Sequence, residues 1–175
     1  MSIWRTRAAA PIPDYSDEWQ PEIDIRVART RTPADHDAAM DIRRRVFTVE
    51  QGVTDLRVSD LDDNRSVIAL ARVMSDDGLV PAGTGRLTLS PLTGGPALVA
   101  WVATLPEWRR AGVGHEVMLF LMHEAEKAGV QQVVLAAQAH AESFYRRLGF
   151  TPAGPRYDVR GIPHLRMTWQ QKRRR

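Results

Sequence analysis

The chain has 175 residues, 43% hydrophobic and 26% charged, with a formal net charge of +3. That length suits one domain with a core of its own, and no stretch approaches the roughly 20 apolar residues that span a bilayer, so a membrane-spanning or disordered chain is set aside. The absence of cysteine excludes disulfides, thiolate metal sites and a cysteine nucleophile together.

Residues 1–21 are rich in Arg, Ala and Pro, carry Trp4, Tyr15 and Trp19, and follow neither a helical nor a strand period. They read as an N-terminal extension, mobile or docked through its tryptophans. From 22 to 170 the pattern is regular and predicts a single domain. Ile23, Ile25 and Val27 alternate with charged residues as in a half-buried strand. Thr32-Pro33 then opens a helix in which Ala38, Ile42, Val46 and Val49 recur at three- and four-residue spacing, running to about Gln51 and ended by Gly52. The polar, acidic stretch 52–65, with Asp55, Asp60, Asp62 and Asp63, reads as a loop or short helix that covers something.

Val67–Met74 and Gly83–Leu89 read as strands of a meander around the turn Ser75–Gly78. The almost wholly apolar Ala97–Ala103 suits a central strand covered on both faces. Val113, Val117, Phe120, Leu121 and Ala125 then form the apolar stripe of a helix capped by Gly129, and Val133–Ala137 is a second buried strand, so that strand, loop, helix and strand imply a right-handed crossover. A helix over about Ala139–Leu148 and strands near Thr151–Tyr157 and His164–Trp169 complete the domain. Residues 171–175 form a basic tail, a pattern typical of a solvated end.

The five histidines, His36, His115, His123, His140 and His164, show no helical pair spacing, so no metal site is expected. The N-terminus has arginines without a continuous apolar segment behind them, which does not suit a secretory signal and leaves a cytoplasmic setting as the expectation. Nothing aromatic and basic interleaves as single-strand binders require, so nucleic acid is not an expected partner.

The segment that carries chemistry is Arg109-Arg110-Ala111-Gly112-Val113-Gly114, between a buried strand and an amphipathic helix. Without Cβ atoms at Gly112 and Gly114, backbone amides can converge on one spot, and the helix dipole adds partial positive charge there, as phosphate binding requires. The spacing is neither that of dinucleotide folds nor that of nucleotide-hydrolysing loops. The arginines suit an anionic pyrophosphate by charge, Arg109 more than Arg110.

This segment resembles the acyl-CoA pyrophosphate loop of the GNAT superfamily of N-acetyltransferases, Arg/Gln-x-x-Gly-x-Gly/Ala. Leu105-Pro106-Glu107-Trp108-Arg109 resembles the family's approach to that loop, Gln138 lies where many members have Asn, Ala141, Phe144 and Tyr145 resemble its Ala-x-x-Phe-Tyr, and Leu148-Gly149-Phe150 its Leu-Gly-Phe. Arg45-Val46-Phe47-Thr48-Val49-Glu50-Gln51 and Gly161-Ile162-Pro163-His164-Leu165-Arg166-Met167 resemble a bacterial branch of that superfamily. The resemblance covers about residues 23–169. It implies an α/β fold with a mixed, mostly antiparallel sheet, a central pair of parallel strands that splay apart, and helices on both faces.

The resemblance also implies a reaction, in which an amine attacks the thioester carbonyl of acetyl-CoA directly and coenzyme A leaves as a thiolate. Tyr145 is then the matching general acid, since a phenol of pKa about 10 is protonated at neutral pH and has basicity comparable to a thiolate. Backbone at Val113 and Gly114 would hold the pyrophosphate; Trp101, Val102 and Ala103 would line the acyl region, with plain core packing open for Trp101; and Gln138 would reach the pantetheine arm. The base that deprotonates the amine is open. Many members place a carboxylate on the central strand, whereas Ala97–Ala103 holds none, leaving Glu50, His164 or a water chain. The acceptor is a small-molecule or peptide amine, with a slight preference for cationic amines from the loop acids; monomer and homodimer are both compatible, and a catalytically degenerate CoA-binding sensor is the alternative.

Overall fold

Alternation of apolar and charged residues produces β1, Ile25–Arg29, whose Val27 is buried. Thr32 caps the helix that follows: its hydroxyl accepts the backbone N–H of Asp35 while the Asp35 carboxylate accepts the N–H of Thr32. Backbone donors and Arg72 hold the Asp35 carboxyl well below the usual carboxylate range. In this computed structural model, residues 23–54, 56–92 and 94–171 are described; the extension 1–21, Asp55 and the tail from Lys172 lie outside the described residues.

The expected single helix to Gln51 is corrected. The α-helix α1 spans Pro33–Arg43, and the chain continues through Arg44–Glu50 as a π-helix. The backbone N–H of Gln51 bonds the carbonyl of Val46, five residues back. This wider turn places Glu50 and Gln51 at the ends of the central strands, where both are tied. The acidic stretch contains a short 3-10 helix, Leu61–Arg65.

The meander is β2, Val67–Ser75, and β3, Gly78–Thr88, the latter starting five residues earlier than expected because the Asp76-Asp77 turn leads straight into pairing of Ser75 with Gly78. Then come β4, Ala97–Thr104; α2, Val113–Lys127; β5, Gln132–Gln138; α3, Glu142–Arg147; β6, Thr151–Val159; and β7, Ile162–Gln170. The sheet runs in the order β1-β2-β3-β4-β5-β7-β6, every pair antiparallel except β4 with β5.

Period two along β2 divides its side chains between two faces. Ala69, Ala71 and Val73 meet Val117, Met118 and Leu121 of α2 in the larger core, while Leu70 faces the opposite way and packs with Ile42 and Val46 of the first helix. The fold is thus the mixed, mostly antiparallel sheet with helices on both faces that the sequence predicts. Among the described residues no helix is long and apolar enough to cross a membrane.

Candidate active site

The parallel strands pair only where Ala97–Val99 lie beside Val133–Leu135; beyond Val99 they part. In β4 the break is marked by Trp101, whose φ is +56°, opposite a register shift between Thr84 and Arg86 of β3. Two cavities, of about 760 and 610 Å³, meet at this opening. Both are lined by Val102, Ala103, Thr104, Arg109, Ala141 and Tyr145. Tyr145 is buried there, its ring edge-on to Phe144 and Phe150, and burial raises the phenol pKa, which keeps the hydroxyl protonated.

The smaller cavity is bounded by Arg110, Gly112, Val113 and Gly114. Gly112 is the N-cap of α2 at φ +89° and makes no side-chain cap, so the first-turn amides of Val113, Gly114 and His115 have neither a capping side chain at Gly112 nor a preceding helical carbonyl. A Cβ on Gly114 would lie 3.2 Å from Thr104 Oγ1 and 3.6 Å from the Phe144 ring, both on the wall of the smaller cavity. Such donors at a helix N-terminus fit a pyrophosphate. Ala111 completes the turn without lining either cavity.

Glu50, His164, Trp101 and Gln138 line the larger cavity. The Glu50 carboxylate is gripped by Arg109 through two bonds of 2.8 and 2.6 Å, which hold its pKa below the ordinary carboxylate value. Arg109 also donates Nε–H to the Thr104 carbonyl, so its guanidinium binds Glu50 to the end of β4. His164 Nδ1 lies 2.7 Å from the Ile162 carbonyl, which only accepts; Nδ1 is therefore the donor of this bond, and Nε2 is the acceptor whenever the ring is neutral. His140 also lines the larger cavity and His115 the smaller one.

Residues 82–171 match the family model described as an acetyltransferase (GNAT) domain. The chain belongs to the GNAT acetyltransferase family. It is 32% identical over 143 residues to the protein ElaA of Escherichia coli, covering 74% of this chain and 84% of ElaA. The crystal structure of ElaA superposes with a TM-score of 0.69 and 25% identity over 83% of this chain and 98% of that one. An acyl-CoA N-acyltransferase from Pseudomonas aeruginosa gives 0.69 and 26% over the same shares. The protein is accordingly an acyltransferase, and the donors used by this fold are CoA thioesters.

In this GNAT acetyltransferase the described loop acids Asp60, Asp62 and Asp63 are each paired with arginine. Asp63 accepts bonds from Arg43 and Arg86, Asp60 is bonded to Arg86 and receives the Trp101 indole N–H at 3.3 Å, and Asp62 pairs with Arg65. Arg43, fully buried, also lies with its guanidinium 5.2 Å from the Trp101 ring centroid. Asp63 is thus a buried counter-ion to both arginines, and Asp60 seats the bulged tryptophan. Arg43 and Arg86 escaped the sequence reading because an arginine on an amphipathic helix or strand ordinarily points to solvent. The one available signal was the unusual density of Asp in 60–63.

Proposed function

We propose that this GNAT acetyltransferase transfers the acetyl group of acetyl-CoA to a primary amine by direct attack, with Tyr145 as general acid. The observation that carries this reading is that Tyr145 lines both cavities where the parallel strands part. Donor and acceptor entering from the two sides would meet beside its hydroxyl. Pyrophosphate at Arg110, Gly112, Val113 and Gly114 would bring the acyl group to Val102 and Ala103.

His164 is the better of the two candidate bases. Its Nδ1 is committed to the Ile162 carbonyl, which makes Nε2 the acceptor of the neutral ring, whereas the Glu50 carboxylate is already committed to Arg109 and its lowered pKa makes it a weaker base. The ammonium gives its first proton to His164 and the free amine adds to the thioester carbonyl. As the C–S bond breaks the Tyr145 hydroxyl gives its proton to the departing sulfur, and the second proton shed by the acylated nitrogen restores that hydroxyl. Glu50 then acts by holding Arg109 at the end of β4.

Tyr145→Phe tests the reading. Calorimetry should find acetyl-CoA affinity within about twofold of wild type, and single-turnover thiol release should fall by about 10²–10⁴-fold, the contribution of a positioned proton donor. Equal single-turnover rates in a folded variant would remove Tyr145 from the chemistry. A binding-only sensor would bind acetyl-CoA and release no thiol with any amine.

A further inference from the structure

The described tryptophans pack differently. Trp108 and Trp169 lean on the hydrophobic cores, whereas Trp101 joins neither core and lines the larger cavity, half-buried. Its φ of +56° is a conformation that a bulky L-residue adopts at a cost, and such strain persists only where the surroundings over-determine it.

Three elements hold the ring. The indole N–H donates to Asp60, the N-cap of the 3-10 helix Leu61–Arg65, at 3.3 Å. The Phe47 ring of the π-helix meets it edge-on at 5.4 Å, and the buried Arg43 at the end of α1 sets its guanidinium 5.2 Å from the ring centroid. Asp60 and Arg43 are themselves fixed, Asp60 by Arg86 and Arg43 by Asp63. A tryptophan that served packing alone would join a core, as Trp108 and Trp169 do. An indole held in a strained conformation by a charged network and presented to a substrate cavity points to recognition.

What it recognises follows from the wall around it and from its place in the chain. Phe47, Val53, Leu56, Val159 and Ile162 line the same cavity, so the described surface beside the indole suits an apolar body. Aromatic rings in offset or edge-on contact attract one another beyond the area they bury, which favours a ring in that body. Val102 and Ala103, beside which the acyl group is placed above, follow Trp101 directly in β4, and consecutive Cα atoms are about 3.8 Å apart. A ring docked on the indole therefore needs only a short linker to bring its amine to the thioester. We propose that Trp101 determines acceptor specificity by docking an aromatic body, and that the acceptor is a primary amine carried on a short chain from an aromatic ring. The proposal rests on the N-acetyltransferase reading above.

Thiol release from acetyl-CoA would be measured with phenethylamine, ethanolamine and spermidine for wild type, Trp101→Phe and Trp101→Gly. Phenethylamine and ethanolamine share a two-carbon primary amine and differ in carrying a ring or a hydroxyl; spermidine is a polyamine without a ring. Glycine accepts positive φ without strain, so Trp101→Gly removes the ring and leaves the backbone its conformation, as a melting curve will show. Wild type should prefer phenethylamine to both other amines in kcat/KM. Trp101→Gly should lower kcat/KM for phenethylamine about ten- to a hundredfold more than for ethanolamine, chiefly through KM, and Trp101→Phe should fall between the two. The wild-type comparison needs no variant and decides the matter even if Trp101→Gly fails to fold. Preference for ethanolamine or spermidine, equal losses for phenethylamine and ethanolamine, or acetyl-CoA binding without turnover of phenethylamine would each overturn the acceptor assignment. So would a loss seen only when hexanoyl-CoA replaces acetyl-CoA, which would give the indole to the acyl chain. Failure to bind acetyl-CoA at all would instead overturn the transferase reading beneath it.

Discussion

The side-chain amides of Gln51 and Gln138 bond each other twice, the Gln51 Nε2 to the Gln138 Oε1 at 3.1 Å and the Gln138 Nε2 to the Gln51 Oε1 at 3.0 Å. Gln51 closes the π-helix and Gln138 ends β5, 87 residues further along the chain. The neighbouring Glu50 makes the equivalent tie to Arg109 just beyond β4. Two successive residues of one helical terminus thus bridge to both strands of the splayed pair. Strands that have lost their mutual hydrogen bonds are held at a fixed separation by this strap.

The amide pair should show energetic coupling. Gln51→Ala or Gln138→Ala leaves the other amide half-buried without its partner and should cost about 1–2 kcal/mol, lowering Tm by several degrees in a chain of this size. The double variant should cost less than the sum, with a coupling energy of about 1 kcal/mol in a urea-denaturation cycle. Strict additivity would mean that the pair does not act as a strap.

The Glu50–Arg109 pair predicts a pH-dependent stability difference. The folded pKa of Glu50 lies below the ordinary value, so the stabilisation is present above the unfolded pKa and is lost as pH falls through the folded one. Both side chains are about two-fifths exposed, which limits the effect to about 1 kcal/mol or less and makes it sensitive to salt. Glu50→Gln should therefore be slightly less stable than wild type at pH 7, with the gap closing below about pH 4 and in 1 M salt. A gap that widened on acidification would contradict the assignment.

Asp63 should be the most sensitive of the loop acids. It is buried between Arg43 and Arg86, and the Nε of each arginine, with Arg43 Nη2, already lacks a hydrogen-bond partner. Asp63→Ala would leave two buried guanidinium groups without this carboxylate and should cost about 3–5 kcal/mol in urea unfolding. Asp62→Ala removes a surface pair with Arg65 and should cost under about 1 kcal/mol.

Periodicity made the order of strands and helices legible, because β2, β4 and α2 each bury a face that follows their period. The glycine loop and Phe144-Tyr145 were legible by resemblance to the family. The π-turn of Arg44–Glu50 was not, since one altered hydrogen-bond spacing leaves the apolar stripe of the helix intact. Nor were the partners of Glu50, Gln51 and Asp63, which lie 59, 87 and 20 residues away in Arg109, Gln138 and Arg43. Paired charges far apart in sequence carry no local signature, so the burial of Asp63 between Arg43 and Arg86 could not be read from its acidic loop.

The general base can be identified by the shape of the pH–rate profile. A base that accepts the amine proton matters most where the acceptor arrives charged, well below the alkylammonium pKa of about 10.4. His164→Ala should therefore lower kcat/KM by about 10²–10⁴-fold near neutrality, and the deficit should shrink as pH approaches 10 and the amine deprotonates unaided. It should also displace the acid limb of the profile upward to the amine's own pKa. Glu50→Gln should leave that limb in place, because the wild-type carboxylate is committed to Arg109 and the imidazole remains. A limb displaced in Glu50→Gln and unmoved in His164→Ala would exchange the two roles. If both variants kept the wild-type profile, a water chain would be the proton's route.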